Sequence, residues 1–357
     1  MKSKVISWLP GSIAGCLLVV TGVAFSGHLA SAQKAAAKDV PPKAPLGLAP
    51  VFWPQDNPYS KGKAELGRLL YYDKRLSSTG EVACASCHAP QLGFTDGKPV
   101  STGIRGQKGG RSAPTVINRA YSPEQFWDGR APTLEEQAKG PLANPLEMTG
   151  EKTADAAHKA CVECVNGIPG YRDRFKQVFG AAPITIDHIA KAIATFERTV
   201  LSGDSPYDRY KAGDKAALTP AQVHGMDVFF NKAACDSCHL GFNFTDGSYV
   251  NIGIGMDKVS PDLGRYMVTH REEDKGAFKT PTLREISRTA PYMHDGSLKT
   301  LEDVVEHYNK GGIKNPWLDQ RLKPLHLTDV DKKDLVAFLK ALNGHGWEQA
   351  GPPAKFP

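Results

Sequence analysis

The sequence predicts an all-α protein built as two tandem copies of one unit. Two observations carry this prediction: apolar residues recur at helical spacing in both halves of the chain, and short motifs repeat at a constant separation. A third observation is the content of glycine and proline, 35 and 26 of 357 residues, which indicates short helices joined by long, specified loops. No convincing run of alternating polar and apolar residues predicts a sheet.

Four helices can be predicted from periodicity and end signals. They are Lys61–Tyr72, Ile186–Leu201, Ala221–Phe230 and Asp329–Leu342. Thr219-Pro220 is a start signal for the third helix, and Gly344 is a stop signal for the last. A chain of 357 residues corresponds to about two domains, each long enough to bury a core.

Composition excludes several classes of protein. With 41% hydrophobic and 23% charged residues, the chain is neither disordered, nor collagenous, nor a multi-span membrane protein. Its 44 basic and 38 acidic side chains give a formal charge of +6, which is too modest to indicate nucleic-acid binding. We therefore expect no nucleic-acid partner.

The first 32 residues have the organisation of a secretory signal peptide. Lys2 and Lys4 precede an apolar stretch at residues 13–25, and the small-residue cleavage site Ala30-Ser31-Ala32 follows. We expect cleavage after this site and export to a bacterial periplasm. An uncleaved anchor is one alternative, although the apolar run is short for a span of about 20 residues. Lipidation at Cys16 is another.

Two C-x-x-C-H motifs account for four of the seven cysteines. They are Cys84-Ala85-Ser86-Cys87-His88 and Cys235-Asp236-Ser237-Cys238-His239. This spacing lets two thiols form thioethers with one haem, while the adjacent histidine binds the iron as proximal ligand. A shared zinc site is the alternative, but the two pairs lie in different halves and each has its own histidine. Each half is therefore expected to be a small cytochrome c-like unit with one covalently bound c-type haem.

The remaining cysteines are not expected to bind haem. Cys161 and Cys164 form a third C-x-x-C, but Val165 stands where histidine is required. An oxidised pair or a bridge is the expected state of these two thiols. Cys16 would leave with the signal peptide.

A constant offset shows that the chain is a duplication. Three motif pairs are separated by 167 residues: Pro114-Thr115 and Pro281-Thr282, Asp128-Gly129 and Asp295-Gly296, Thr133-Leu134-Glu135 and Thr300-Leu301-Glu302. The predicted organisation is a signal peptide at 1–32, a tail and lead-in at 33–60, a first haem domain at 61–205, a second haem domain at 206–347 and a C-terminal tail at 348–357.

The two copies differ at an informative position. The 167-residue offset pairs Pro141, which cannot bind iron, with Tyr308, which can. We expect Tyr308 to close haem 2, and haem 1 to keep an open site beside Gln137 and Glu147. There a carboxyl could move a proton of peroxide and an amide could hold the molecule. A solvated surface is the alternative interpretation of these two side chains. The rival ligands of haem 2 are Met267 and Met293.

The chain from about residue 60 to 347 resembles the bacterial diheme cytochrome c peroxidase family, which includes the MauG-type enzymes. The motifs that carry the resemblance are residues 126–130 (FWDGR), 133–137 (TLEEQ), 144–148 (NPLEM), 279–284 (KTPTLR) and 290–296 (APYMHDG). The resemblance implies a peroxidatic N-terminal haem with Gln137 and Glu147 in its pocket, and an electron-transferring C-terminal haem. It also implies that Trp127 relays electrons between them; a core tryptophan is the alternative interpretation.

The resemblance further implies a calcium ion between the domains. The matching positions are Ser112 and the main-chain carbonyls of Thr289 and Pro291, and oxygen ligands of this kind suit calcium. Ser112 stands where the family usually has asparagine. Family members are often dimers, which implies a homodimer here.

Two departures from typical members point to one branch of the family. Ile104 stands where typical members carry a histidine that blocks the peroxidatic haem, and Tyr308 stands where they carry a methionine. A tyrosinate ligand would lower the potential of haem 2. Both features resemble the MauG-type branch, whose members oxidise residues of a partner protein.

The expected function is that of an exported diheme peroxidase. It would reduce hydrogen peroxide to water at haem 1, with electrons relayed through haem 2 from a small periplasmic donor, a cytochrome c or a cupredoxin. One alternative is a MauG-type enzyme that uses peroxide to oxidise a protein substrate. A second is a non-enzymatic diheme electron carrier.

Overall fold

Short helices dominate residues 39–357, the part of the chain that the computed structural model describes. The α-helices are α1 Lys61–Tyr72, α2 Cys84–Cys87, α3 Leu134–Leu142, α4 Ala154–Gly167, α5 Pro169–Phe179, α6 Ile186–Glu197, α7 Pro206–Lys211, α8 Pro220–Asp227, α9 Tyr266–Thr269, α10 Leu301–Asn309 and α11 Asp329–Lys340. Two strands, β1 Tyr249–Val250 and β2 Phe278–Lys279, form an antiparallel pair. The prediction of a helix-rich protein is confirmed, and this short pair is the one sheet within the described range.

The predicted signal peptide and Cys16 lie outside the described residues. Within residues 39–357, no helix combines the length and the apolar character that a membrane crossing needs. The same residues form one compact unit. The proposed domain limits at 61–205 and 206–347 stay a prediction.

The predicted helix starts agree with the structure better than the predicted ends. Helix α1 has the predicted limits, whereas α6 ends at Glu197 and α11 at Lys340. After α6, the Thr199 hydroxyl donates to the Phe196 carbonyl over 2.6 Å, an alternative to continued helical bonding. Helix α8 begins at Pro220 behind a Thr219 cap and passes into a π-helical turn at Val228–Lys232. The segment predicted as the third helix is therefore α-helical at its start and π-helical at its end.

Each half of the chain contains one very close helix crossing. A Cβ atom on Gly67 of α1 would lie 1.9 Å from the carbonyl oxygen of Ala192 in α6. A Cβ atom on Gly225 of α8 would lie 1.8 Å from the carbonyl oxygen of Asp334 in α11. Only glycine permits such an approach. The two crossings make Ala192 and Asp334 equivalent, which is independent structural support for the duplication.

The buried apolar side chains form two clusters that follow the two halves. The first includes residues of α1, α4, α5 and α6, and the second includes residues of the π-helical turn after α8, of α10 and of α11. The C-terminal segment returns to the first cluster: Ala350 is buried in it, and the Tyr72 hydroxyl donates to the Ala350 carbonyl over 2.7 Å.

The segment before α1 is also fixed to the fold. Asn57 is fully buried, and its side-chain amide donates to Glu135 over 2.6 Å and to the carbonyl of Lys191 over 3.0 Å. The Tyr121 hydroxyl donates to the Ala49 carbonyl over 2.7 Å. Asn57 therefore fixes the end of this segment to α3 and α6, and Ala49 is bonded to the turn that contains Tyr121.

The crossing in the N-terminal half gives a stability prediction. Gly67→Ala should lower the free energy of unfolding by about 1–3 kcal/mol, because the added Cβ must push α6 away from α1. Gly62→Ala is the matched control on the same helix, since its Cβ would lie 3.5 Å from Val178 in ordinary contact. Urea unfolding of the haem-loaded proteins measures both. Equal stability of the two variants would contradict the importance of the crossing.

Candidate functional site

Two cavities of similar size lie in the structure, one associated with each C-x-x-C-H motif. The N-terminal cavity has a volume of about 460 Å³, and the C-terminal cavity about 490 Å³. The first is lined by Cys84, Cys87 and His88, and the second by Cys235, Cys238 and His239. The fold thus places each predicted attachment motif on the wall of its own cavity. Helix α2 carries the first motif, and a short 3₁₀ turn carries the second.

The two motif histidines are oriented in the same way. His88 Nδ1 lies 3.2 Å from the Phe94 carbonyl oxygen, and His239 Nδ1 lies 3.1 Å from that of Phe244. Because a carbonyl only accepts, Nδ1 carries the proton and Nε2 offers its lone pair. Burial lowers the pKa of both rings, which favours the neutral form. A neutral imidazole whose Nδ1–H is bonded to a carbonyl in this way can bind a haem iron through Nε2.

The same local turn produces this orientation in both halves. Phe94 has a φ of 58° and Phe244 a φ of 52°, so both adopt the left-handed conformation that side chains other than glycine rarely adopt. Both rings are buried in their apolar clusters. Packing of the ring therefore holds a strained backbone whose carbonyl accepts from the histidine.

Two basic side chains in the cavity walls, neither of them exposed to solvent, lack an acidic hydrogen-bond partner among the described residues. Arg119 lines both cavities and bonds to the side-chain oxygen of Gln125 over 2.7 Å, and Lys279 lines the C-terminal cavity and bonds to Ser122 Oγ over 2.8 Å. Burial lowers the pKa of Arg119 to about 10 and that of Lys279 to about 5. A nearby anion would favour the charged form of both groups, and the propionates of a haem would supply one.

Glu147 is held at the wall of the N-terminal cavity by its neighbours. The Asn144 amide donates to Glu147 Oε1 over 2.6 Å, and the Ile104 N–H donates to the Glu147 carbonyl over 3.0 Å. Gly103 lies so near that its Cβ would be 2.6 Å from Glu147 Cα. Burial raises the pKa of Glu147, and the Asn144 bond and the charge of Arg130 offset part of that rise.

Gln137 and Pro141 line the same cavity from α3. The Thr133 hydroxyl caps this helix by accepting from the Glu136 N–H over 3.1 Å. Within residues 39–357, the Gln137 amide has no hydrogen-bond partner, so it is available to a molecule in the cavity. The predicted pairing of Gln137 and Glu147 in one pocket agrees with this arrangement.

Tyr308 lines the C-terminal cavity from α10, the helix that corresponds to α3. Its hydroxyl has no protein hydrogen-bond partner within the described range. Met293 lines this cavity too, whereas Met267 is 59% exposed and does not. The structure therefore leaves Tyr308 and Met293 as ligand candidates and gives no support to Met267.

Trp127 lines both cavities, as an electron relay between them requires. Its indole N–H donates to the Ser112 carbonyl over 2.9 Å, and the Lys279 N–H donates to the Trp127 carbonyl over 2.8 Å. Ser112 also lines both cavities, and Thr289 and Pro291 line the C-terminal one. These three are brought to one region, and the calcium ion there stays a prediction.

Three other residues singled out in the sequence lie away from the cavity surfaces. Ile104 is fully buried in the first apolar cluster, and its neighbour Gly103 lines the N-terminal cavity instead. Cys161 and Cys164 are both free thiols on α4, so the oxidised pair or bridge expected from the sequence is not formed in the structure. The Cys161 side chain packs in the first cluster, and the Cys164 thiol donates to the Arg75 carbonyl over 3.0 Å.

Each cavity has a pair of thiols beside a histidine whose orientation is fixed, and basic side chains in its wall that lack an acidic partner. These features define a helical protein whose cavities fit c-type haem. Comparison with known proteins agrees with that class. The family model described as di-haem cytochrome c peroxidase matches residues 61–216.

Individual relatives cover much more of the chain. The methylamine utilization protein MauG of Methylorubrum extorquens is 40% identical over 81% of this chain and 80% of its own. The cytochrome c551 peroxidase of Nitrosomonas europaea is 41% identical over 80% of this chain and 81% of its own. A crystal structure of a MauG-like protein associated with microbial copper homeostasis aligns with a TM-score of 0.80 at 34% identity, covering 87% of this chain and 98% of that one.

The chain belongs to the di-haem cytochrome c peroxidase and MauG family, and it is an oxidoreductase of the cytochrome c peroxidase type. Membership of this family implies two haem c groups. The resemblance inferred from the sequence motifs is therefore confirmed.

The bond between Asn144 and Glu147 gives a pH prediction. An amide donor stabilises the carboxylate, so Asn144→Ala should raise the pKa of Glu147 and move the corresponding limb of the pH–rate profile for peroxide reaction to higher pH. Lost positioning should also slow the reaction at the optimum. Stopped-flow mixing of the haem-loaded variant with peroxide across pH measures both effects. Gln107→Ala is the control, because its amide reaches the Pro145 carbonyl over 3.1 Å on the exposed side of the same loop. An unchanged profile in Asn144→Ala would contradict the role of this bond.

Proposed function

We propose that this protein is an exported peroxidase that reduces hydrogen peroxide to two waters in the N-terminal cavity. Electrons come from a small periplasmic donor, a cytochrome c or a cupredoxin, and pass through the C-terminal cavity. One observation carries the proposal: equivalent helices place Pro141 at the first cavity and Tyr308 at the second. The first cavity therefore keeps room for a substrate on α3, and the second offers a ligand from α10.

The residues that hold the two haems follow from the cavity walls. Cys84 and Cys87 would hold haem 1 through thioether bonds, and His88 would bind its iron. Cys235, Cys238 and His239 would do the same for haem 2, and Tyr308 would be its second protein ligand. With a haem in the first cavity, the site would have the redox chemistry that a two-electron reduction of peroxide needs.

Glu147 and Gln137 act on the peroxide molecule itself. The Glu147 carboxylate takes the proton of one peroxide oxygen and returns it to the other, so that the second oxygen leaves as water. Asn144 occupies Oε1 of Glu147, which leaves Oε2 to carry this proton. The Gln137 amide, which has no partner within residues 39–357, donates to the peroxide and holds it beside Glu147. The complete reaction takes two electrons and two further protons per peroxide.

Trp127 connects the two cavities in this proposal. Its ring lies in both walls, and its N–H is fixed by the Ser112 carbonyl. Ser112 and the carbonyls of Thr289 and Pro291 would hold calcium near the same junction and stiffen it. The sequence of residues 1–32 supports export to the periplasm, and a homodimer remains a prediction from the family.

The absence of a blocking side chain gives a direct test of peroxidase activity. Ile104 packs in the apolar core, and its side chain has no atom that can bind iron. Peroxide should therefore react with the fully oxidised protein without prior reduction. Mixing the ferric protein with peroxide in a stopped-flow spectrometer should change its absorption spectrum. Glu147→Gln should slow this change by about 10²–10⁴-fold. An unchanged spectrum in the wild type would contradict the proposal.

A MauG-type enzyme, which oxidises residues of a partner protein, is the second candidate. Tyr308 in the wall of the C-terminal cavity favours it, since a tyrosine ligand lowers the potential of haem 2. Steady consumption of peroxide with a reduced small cytochrome would favour the peroxidase. Negligible turnover, with a long-lived oxidised form consumed by a protein substrate, would favour the maturase. A simple electron carrier needs a sixth ligand at both irons, which Pro141 cannot supply.

The Tyr308 ligand can be tested by itself. Tyr308→Phe should remove the sixth ligand of haem 2, changing its ferric absorption and spin-resonance signals and raising its potential. The signals of haem 1 should stay as in the wild type. Met293→Leu is the control, and a change there with no change in Tyr308→Phe would reassign the ligand to Met293.

A further inference from the structure

A second carboxyl group lies in the N-terminal cavity, and the proposed peroxide chemistry does not use it. Glu197 is the last residue of α6, is 5% exposed and lines the cavity. Among residues 39–357 its carboxyl has no hydrogen-bond or ion-pair partner. The neighbouring Glu135 differs, because Arg198 binds both its oxygens, over 2.6 and 2.8 Å. Glu197 is thus an acid buried without the partner that usually accompanies burial.

The duplication provides an internal comparison for this position. The helix crossings make Ala192 equivalent to Asp334, so that Ile193 corresponds to Leu335 and Glu197 to Leu339. The members of each pair line their own cavities. At the second cavity a leucine, Leu339, is sufficient for packing at this position, whereas the first cavity has the acid Glu197 at the equivalent position. The carboxyl is a feature of the reactive cavity and not of the fold.

The surroundings of Glu197 contain charges of both signs. The titratable groups that face it are Tyr71 on α1, Cys84 on α2, Arg119 in the cavity wall, Glu135 on α3, and Arg198 after α6. Arg119 and Arg198 favour the carboxylate, Glu135 opposes it, and burial outweighs them all. The pKa of Glu197 is raised to about 8. Its protonation can therefore change near neutral pH when the charge in the cavity changes.

We propose that Glu197 takes up the proton that accompanies reduction of the N-terminal haem. An electron from the donor lowers the positive charge facing Glu197 by one unit, and in a cavity of low dielectric this loss makes the carboxylate less stable. The carboxylate then binds one proton from solvent and becomes the neutral acid. One electron and one proton enter together, so the net charge of the cavity is unchanged. Reoxidation of the haem releases this proton again.

The experiment is a redox titration of the haem-loaded protein at pH values from about 5.5 to 9, monitored by absorption. In the wild type, the midpoint potential of haem 1 should fall by up to about 59 mV for each tenfold decrease in proton concentration. In Glu197→Gln this dependence should be lost, while haem 2 in the same sample behaves as in the wild type. Glu197→Leu, which copies the second cavity, should behave like Glu197→Gln and is the substitute if the amide impairs folding.

The controls separate this assignment from its alternatives. Glu147→Gln should keep the pH dependence of haem 1, and its loss there would assign the proton to Glu147 and overturn the proposal. A wild-type potential that does not vary with pH would overturn it too, as would a normal dependence in Glu197→Gln. The inference rests on the proposed placing of haem 1, but the titration uses no peroxide. A peroxidase without the pH dependence would refute only the proton site, and a pH dependence in a protein inert to peroxide would refute only the proposed function.

Discussion

Backbone contact between paired helices determines what lines the two cavities. Gly67 allows α1 to touch α6, and Gly225 allows α8 to touch α11, at distances that no side chain would permit. Because these contacts fix both the separation and the register of each pair, they decide which residues of α6 and α11 face inward. Ile193 and Glu197 reach the first cavity for this reason, as Leu335 and Leu339 reach the second. The side chains that α6 and α11 contribute to the two cavity walls therefore follow from one geometric constraint.

The duplication is most informative where its copies differ. Both halves have a histidine whose ring is held by the carbonyl of a phenylalanine in the left-handed backbone conformation. Both also have a capped helix in the cavity wall, α3 in the first half and α10 in the second. Against that constant background, Pro141 stands where the second half has Tyr308, and Glu197 stands where it has Leu339. The first cavity therefore has a proline and a carboxyl group at the positions where the second has a tyrosine and a leucine.

Charge in the cavity walls is balanced between protein and cofactor. Arg119 and Lys279 have no acidic hydrogen-bond partner within the described residues, and Glu197 has no basic one. Groups of this kind are costly in a dry interior. A haem brings both the propionates that the two cations need and an iron whose charge changes during turnover. A haem in each cavity would therefore complement the charged groups of the wall that lack a protein partner. At the first cavity, the proposed proton uptake by Glu197 would also compensate the change in charge of the iron.

The covalent chemistry and the family could be determined from sequence because their signals are local. The C-x-x-C-H spacing lies within one turn, the helix caps involve residues three apart, and the 167-residue offset is a property of order along the chain. These signals predicted the haem attachment sites, the helix starts and the pairing of Pro141 with Tyr308. The tertiary structure alone decided that Trp127 faces both cavities, that Asn144 holds Glu147, that Ile104 packs in the core and that Arg119 and Glu197 reach a cavity wall. Such neighbours come from segments far apart in the chain, and only the packing of helices at fixed separation brings them together.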